Sequence, residues 1–418
     1  MPITDACGSD RTAQTALSKE QALGRLLARV EPIGETESLA TADGLGRVLA
    51  EPLVSAIEVP AWDNSAMDGY AVRHADLSSR GGRLRVAQRI PAGATGSFLE
   101  PGTAARIFTG APVPAGGDTV VIQEVCEASH EWVRIPLDCK PGTNIRRAGE
   151  DIRAGAEVIG RGTRLAPQHL GLAASVGVAR LCAFRRLRVA VFSSGDELVM
   201  PGEPLGPGQI YNSNRFMLLG LIQRLGCEVI DLGIVEDTLD ATEQVLSRGA
   251  READLVIGSG GVSVGEEDHV RAALERVGTL ELWDIAIRPG KPLAFGRIGA
   301  TPFIGTPGNP VSLFVTFCLF GIPAILRRQG VGGDLRPVTV KARAGFDWPR
   351  PDRRRELHRA RIQTAPDGVP EILVFPSRSS AVLSSVVWAN GLVEIRERQV
   401  IQRGDLVDFI PFEGLLSP

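Results

Sequence analysis

Residues 254–269 run Asp-Leu-Val-Ile-Gly-Ser-Gly-Gly-Val-Ser-Val-Gly-Glu-Glu-Asp-His, an apolar run followed by glycines and then acids. This order predicts a buried strand, a glycine loop and the start of a helix. Gly258, Gly260, Gly261 and Gly265 permit positive φ and close backbone approach, and the free N–H groups of a following helix favour phosphate or a similar oxyanion. Gly260 and Gly265 match the first half of the nucleotide-binding P-loop, but Glu266 and Glu267 stand where Lys and Ser/Thr would hold phosphate and magnesium. The dinucleotide fingerprint fails as well, because Gly258-Ser259-Gly260 is followed three residues later by Ser263. Acid in place of base leaves two readings. Either a divalent metal held by Asp268 or its neighbours brings the anion in, or the segment is a tight turn with solvated acids at a helix start.

Other groups could join this loop. Ser193-Ser194-Gly195-Asp196-Glu197, Glu236-Asp237 and Gly305-Thr306-Pro307-Gly308-Asn309-Pro310 each follow a short apolar run of strand type. Acids gathered at several strand ends need a cation or a proton, so their joint occurrence favours a site over solvated loops. Asn309 and Pro310 read as N-cap and first residue of a helix, which explains them structurally and also offers a second anion seat. In Arg288-Pro289-Gly290-Lys291-Pro292 the prolines forbid helix and hold two cations on an extended turn, suited to an oxyanion or simply exposed at the surface. Trp62 to Val72, with Asp63, Asn64, Ser65 and Asp68, is either a heterocycle- or metal-binding loop or an Asp-Gly turn. Asn144 to Asp151 pairs Arg146 and Arg147 with acids, a solvated turn or a phosphate clamp.

The elements that position these groups follow from periodicity. At 418 residues, with 44% hydrophobic and 23% charged, the chain is globular, with material for roughly two to four domains. A net charge of −3 gives no basic field, so nucleic acid is not expected as a main partner, while a local basic groove for a small anion stays open. Cys7, Cys126, Cys139, Cys182, Cys227 and Cys318 form no C-x-x-C pair, and the histidines are dispersed, so no zinc site or disulfide framework is expected and a reducing, cytoplasmic setting fits. The first thirty residues lack an apolar h-region, so no signal peptide is read. The apolar stretch Val311 to Leu326, interrupted by Gly321 and Pro323, predicts a core helix and no membrane span.

After a loose tail (1–16), Ser18 and Gln21 predict a capping box. Short β-type runs between Pro and Gly (Leu84–Val86, Ala105–Phe108, Thr119–Ile122, Trp132–Ile135) predict a β-rich module at 55–151, inserted in a domain made of 17–54 and 152–186. Strands at Leu187–Phe192, Glu228–Ile234, Leu255–Gly258, Ile285–Arg288, Leu293–Phe295 and Phe303–Ile304 alternate with helices such as Phe216–Leu225, predicting a doubly wound α/β domain at 187–332. Strand runs at Val338–Ala342, Ile372–Phe375, Leu392–Ile395 and Leu406–Ile410 predict a terminal β domain at 333–418.

These segments together resemble the molybdopterin molybdenumtransferase family, the bacterial MoeA proteins and gephyrin-like E domains. The resemblance rests on Asp63-Asn64-Ser65-Ala66-Met67-Asp68-Gly69-Tyr70-Ala71, Thr109-Gly110-Ala111-Pro112, Asn144 to Asp151, Ser194-Gly195-Asp196-Glu197-Leu198, Gly260 to Gly265, Pro289 to Pro292 and Pro307 to Ser312, in order, from about residue 18 to the end. It implies a multidomain α/β-plus-β subunit with a central molybdopterin-binding-like α/β domain, an inserted β-rich domain, an elongated N-terminal linker domain and a C-terminal β-barrel-like domain. It further implies a homodimer with the site shared between subunits, which inserts molybdate into adenylylated molybdopterin with release of AMP, and a molybdopterin adenylyltransferase and molybdoenzymes as partners.

By the same resemblance Asp237 and Asp268 would bind Mg2+ at the pyrophosphate with Glu197 near. Asp68, Thr109 and Arg146 match positions tied to activity. Gly260, Gly261, Ser263, Gly265, Pro307 and Pro310 would line the substrate. Arg288, Lys291 and Ser312, with Arg354 and Ser380, match the oxyanion route. Where some relatives carry a lysine, this chain has Asp284, and Arg288 replaces a second lysine. Two other functions fit the same motifs: a scaffold that keeps the pterin pocket without turnover, and an adenylyltransferase using ATP.

Overall fold

The computed structural model describes residues 16–261, 269–290 and 292–416. The tail up to residue 15, Ser263, Gly265, Asp268 and Lys291 lie outside the described residues.

The first helix, Lys19–Arg29, starts on the expected capping box: Gln21 N–H donates to Ser18 Oγ at 3.1 Å and Ser18 N–H to Gln21 Oε1 at 3.0 Å. It buries Ala22, Leu23 and Leu26 in the main core. Strand Thr36–Ala40 pairs antiparallel with Arg180–Phe184, and Leu53–Val54 with Glu157–Ile159, so the chain returns to the same unit after a long excursion. That excursion builds a six-stranded sheet in the order Thr119–Ile122, Gly69–Val72, Thr103–Ile107, Arg83–Ile90, Trp132–Arg134, Glu127–Ala128.

The central sheet runs Glu228–Val235, Arg188–Ser194, Leu255–Ser259, Thr301–Thr306, Pro292–Ile298, Thr279–Asp284. Its first four strands are parallel, so their carboxyl ends share one edge, and the last two are antiparallel. Period-2 alternation divides the packing. Val189 and Val191 join a core with Leu218, Leu221 and Ile222 of helix Ser213–Arg224 and with the long apolar helix. Ala190 and Phe192 face Val245 and Leu246 of helix Leu239–Glu252, and Val270, Ala273 and Leu274 of helix His269–Val277. Helices thus cover both faces, which is the doubly wound arrangement.

Two expectations fail here. Ile285–Arg288 is not a strand of the central sheet: only Ile287–Arg288 is extended, and it pairs parallel with Arg355–Glu356 of the terminal sheet. Nor do Gly321 and Pro323 interrupt the apolar helix. It runs from Pro310 to Arg328, 89% of its most apolar window is buried, and it widens into a π turn at Phe317–Gly321. A wider turn accommodates the missing N–H and the ring of Pro323 without breaking the helix.

The terminal domain closes a five-stranded barrel from Arg355–Thr364, Pro370–Val374, Val340–Ala344, Leu406–Pro411 and Gly391–Ile395, the last pairing back to the first. Closure leaves no free edge among these strands.

Candidate functional site

The carboxyl edge of the parallel strands is tied together by short polar links. Ser194 Oγ, at the end of the first strand, donates to Asp237 Oδ1 beyond the second. Asp196 N–H donates to Asp237 Oδ2 at 3.3 Å, and Asp237 N–H returns a bond to Asp196 Oδ1 at 3.1 Å. Gly260 N–H donates to the Thr306 carbonyl at 3.2 Å, and Thr306 Oγ1 to the Gly258 carbonyl at 2.9 Å, which locks the glycine loop to the fourth strand. Asn214 closes the edge from the adjoining helix, its Nδ2 donating to Ser259 Oγ at 3.2 Å and to the Gly308 carbonyl at 2.6 Å. These bonds tie the loops after the first and second strands to each other, and the glycine loop to the fourth strand and the adjoining helix, along one rim.

The glycines meet stereochemical demands of that rim. Gly260 has φ +88°, and a Cβ there would lie 2.6 Å from the Ser194 carbonyl oxygen; Gly261 has φ +63°, and a Cβ there would lie 2.6 Å from Val270 Cγ2. No side chain fits in either place. Glu197 is exposed and folds over Gly195, where a Cβ would stand 2.5 Å from Glu197 Oε2. Among the described residues Asn214 Oδ1 and Asn212 Nδ2 are buried without hydrogen-bond partners, an acceptor and a donor at the rim.

Asp237 is half-buried, and its carboxylate is oriented by one O–H and one N–H while keeping lone pairs, a donor set that fits a hard divalent cation. Among the described residues no three His, Cys, Asp or Glu gather as a metal site. Burial pushes the Cys126 thiol up to about 11 and Cys227 up to about 12, and the described cysteines are all free.

A second wall forms where the barrel meets the α/β domain. Arg288 NH1 donates to Asp352 Oδ2 at 2.9 Å, and Arg354 NH2 reaches the same oxygen at 3.2 Å. Burial pushes the Asp352 carboxyl up, but the bonds from Arg354 and Arg288 outweigh this and hold it well below the usual carboxylate range. Two of the cations singled out in the sequence thus converge on one fixed carboxylate, with further N–H donors to spare. Helix Pro310–Thr316 abuts them: Gly290 of the extended turn sits where a Cβ would contact Thr316 Oγ1 at 3.3 Å and the Ser312 carbonyl at 3.6 Å. Ser312 is buried, whereas Pro307 and Pro310 are half-buried.

Asn309 occupies the N-cap position, but its side chain makes no capping bond, contrary to the sequence expectation. Val311 N–H instead donates to the Ser380 carbonyl at 3.0 Å, so a tertiary contact from the barrel does the capping. Arg288, Ser312, Arg354 and Ser380 are thereby brought to one junction.

The β-rich module carries its own constellation. Thr109 donates to Asp68 Oδ1 from both its N–H and its Oγ1, each at 2.8 Å, and these bonds lower the Asp68 pKa. Asn64–Ser65 pairs antiparallel with Ile145–Arg146, placing Arg146 opposite Asn64. Asp63 accepts from Arg147 NH1 at 2.6 Å and from Ala148 N–H at 2.9 Å, so Arg147 is the structural clamp and Arg146 points outward, exposed. Among the described residues no hydrogen bond or ion pair joins Asp68, Thr109 or Arg146 to the α/β rim of the same chain.

Sequence reasoning placed Ser194 at the rim but missed Asn214 and Asp352 as parts of these walls. Asp352 stands directly before Arg353, Arg354 and Arg355, an acid beside a basic run that could have flagged it.

A doubly wound sheet with a glycine- and acid-bearing rim, joined to a closed barrel, defines a multidomain α/β protein. Three family models match: the MoeA N-terminal region (domain I and II) at 17–177, a probable molybdopterin binding domain at 190–327, and the MoeA C-terminal region (domain IV) at 341–412. The molybdopterin molybdenumtransferase of Haemophilus influenzae is 40% identical over 407 residues, covering 96% of this chain and 100% of the relative. Molybdopterin molybdenumtransferase 2 of Mycobacterium tuberculosis is 38% identical over 390 residues, covering 90% and 94%. Two crystal structures of the molybdopterin biosynthesis MoeA protein from Pyrococcus horikoshii align with TM-scores of 0.77 and 0.80 at 31% and 28% identity, over 96% and 95% of this chain and 100% of each. The chain belongs to the molybdopterin molybdenumtransferase (MoeA) family.

Proposed function

We propose that this protein is a transferase that inserts molybdenum from molybdate into adenylylated molybdopterin and releases AMP. The observation that carries the reading is the pairing, in one chain, of a glycine rim holding Asp237 with a junction where Arg288 and Arg354 share Asp352. The two walls suit different anions. A glycine loop at the carboxyl end of a parallel strand suits a pyrophosphate, while the guanidinium donors, with Lys291, Ser312 and Ser380, suit a tetrahedral oxyanion.

In this reaction each dithiolene sulfur displaces one oxo group, which leaves as water, and a further water cleaves the phosphoanhydride to AMP and the pterin phosphate. The chain's cations lower the repulsion between two anionic substrates, and the rigid rim orients the anhydride. Asp237 and Asp268 would hold magnesium, which supplies charge neutralisation at the pyrophosphate, with Glu197 beside them. Asp68, Thr109 and Arg146 form a separate constellation in the β-rich module, which supports a homodimer in which they complete the partner's rim. Free thiols and a buried apolar helix fit a cytoplasmic enzyme that receives its substrate from an adenylyltransferase and hands its product to molybdoenzymes.

The test is AMP release from adenylylated molybdopterin with and without molybdate. A scaffold would release none, and an adenylyltransferase would consume ATP without molybdate.

A further inference from the structure

Glu356 is 3% exposed and lies on the longest barrel strand, Arg355–Thr364, opposite Arg288 in the parallel register. A buried carboxylate persists only if its lone pairs are satisfied, and the donors here come from three directions. Trp348 Nε1 donates to Oε1 at 3.0 Å and Asp352 N–H at 3.2 Å. Arg378 NH2 donates to Oε1 at 2.5 Å and to Oε2 at 2.7 Å, with its guanidinium 4.4 Å from the Trp348 ring centroid. The bonds from Asp352 and Arg378 each lead to a wall of the anion junction. Asp352 is the residue that Arg288 and Arg354 share, and Arg378 belongs to the loop whose Ser380 carbonyl caps the helix at Val311.

The same loop is gripped from the barrel interior by Arg359, fully buried, whose NH2 donates to the Ser377 carbonyl at 2.6 Å and the Ser379 carbonyl at 3.1 Å. Arg359 fixes the loop's backbone to the barrel. Glu356 connects that loop to the arginine wall through Arg378 and Asp352.

We propose that Glu356 is a positioning residue that sets the spacing between the Arg288–Arg354 pair and the Ser380 loop, and so the fit of the junction to a tetrahedral oxyanion. The proposal rests on the reading that this junction takes molybdate. Glu356 touches no substrate and acts through Asp352 and Arg378. Its loss should therefore weaken oxyanion capture while leaving the pterin rim intact.

The test compares wild type, Glu356→Gln and Arg378→Gln for calorimetric binding of sodium molybdate, binding of adenylylated molybdopterin, thermal midpoint and AMP release against molybdate concentration. Gln keeps an acceptor for Trp348 and Asp352 but turns an amide N–H2 toward Arg378, so the arginine must move. The half-saturating molybdate concentration should rise by about five- to ten-fold, the size of one weakened charge-assisted contact. Pterin affinity should be unchanged, and excess molybdate should restore the wild-type rate. If Glu356→Gln fails to fold, Arg378→Gln at the more exposed end of the pair carries the test. An unmoved molybdate response in both folded variants overturns the proposal, as does a parallel fall of thermal midpoint and both affinities, which a purely structural role would give. A wild type that releases no AMP defeats the reading beneath the proposal, whereas an active wild type with unaffected variants defeats only the role of Glu356.

Discussion

Replacing Gly260 with alanine adds one carbon at the point where the rim is most constrained. The residue holds φ +88°, and the new Cβ would lie 2.6 Å from the Ser194 carbonyl oxygen, a backbone atom that cannot swing aside. The positive φ costs roughly 1–2 kcal/mol for a residue with a side chain, and relief of the overlap adds about 1–2 kcal/mol more. Much of that relief must come from movement of the strand end that carries Ser194, whose hydroxyl orients Asp237. A shift of even a fraction of an ångström at an oriented site reduces turnover steeply, so molybdate-dependent AMP release should fall on the order of 10²-fold. Thermal unfolding of the same protein should show the loss of roughly 2–4 kcal/mol. Gly220→Ala serves as the control: it sits inside helix Ser213–Arg224 with nothing within 4 Å, and alanine there should stabilise by about 0.5–1 kcal/mol without touching activity. If Gly260→Ala keeps both the wild-type rate and the wild-type midpoint, the rim is not the constrained ligand seat described above.

Three further outcomes are expected. Asp268→Asn should abolish AMP release while leaving the thermal midpoint in place, because its carboxylate is assigned to the cation and not to packing; wild-type turnover across magnesium concentrations would count against it. Mixing inactive Asp68→Ala and Asp268→Ala chains should restore part of the activity, since some heterodimers would contain one intact shared site, and no recovery after verified subunit exchange would point to a site within one chain. Asp254 links acid to stability: burial raises its pKa, but hydrogen bonds from Arg185 and Arg188 outweigh this and bring it to about 2 from 3.8. A depressed carboxyl stabilises above its unfolded pKa, so about 2 kcal/mol should be present at neutral pH and lost as pH falls from about 4 through 2. Asp254→Asn should accordingly lower the neutral-pH midpoint and flatten its acid dependence, and a variant with the wild-type pH profile would refute this linkage.

How far the chain can be read from its sequence depends on what each residue answers to. Val189, Val191, Ala190 and Phe192 alternate because both faces of their strand are covered, and the run of apolar types is visible without coordinates. The glycines and acids of the rim were legible because they follow such runs, and parallel strands deliver their carboxyl ends to one edge. Strand Arg355–Thr364 was not legible. Its buried positions include Glu356, His358 and Arg359, whose burial depends on partners far along the chain: Arg378 and Trp348 for Glu356, and Phe375 for His358. Charge there looks like solvated surface until the tertiary donors are known. Ile287–Arg288 joined the barrel for the same reason, since two residues carry no pattern and Arg355 N–H takes the Ala286 carbonyl at 2.8 Å. The cap expected from Asn309 failed because local chemistry competes with tertiary contact, and the Ser380 carbonyl reached the helix first.

The most direct test of the central claim is a single-turnover assay in which the purified protein is mixed with adenylylated molybdopterin and magnesium, and AMP is followed as molybdate is added. One AMP per adenylylated pterin, appearing only with molybdate and accompanied by molybdenum bound to the pterin, is the expected result. AMP release that ignores molybdate, or no AMP from a protein that binds the adenylylated pterin tightly, would contradict the assignment of molybdenum transfer to these two walls.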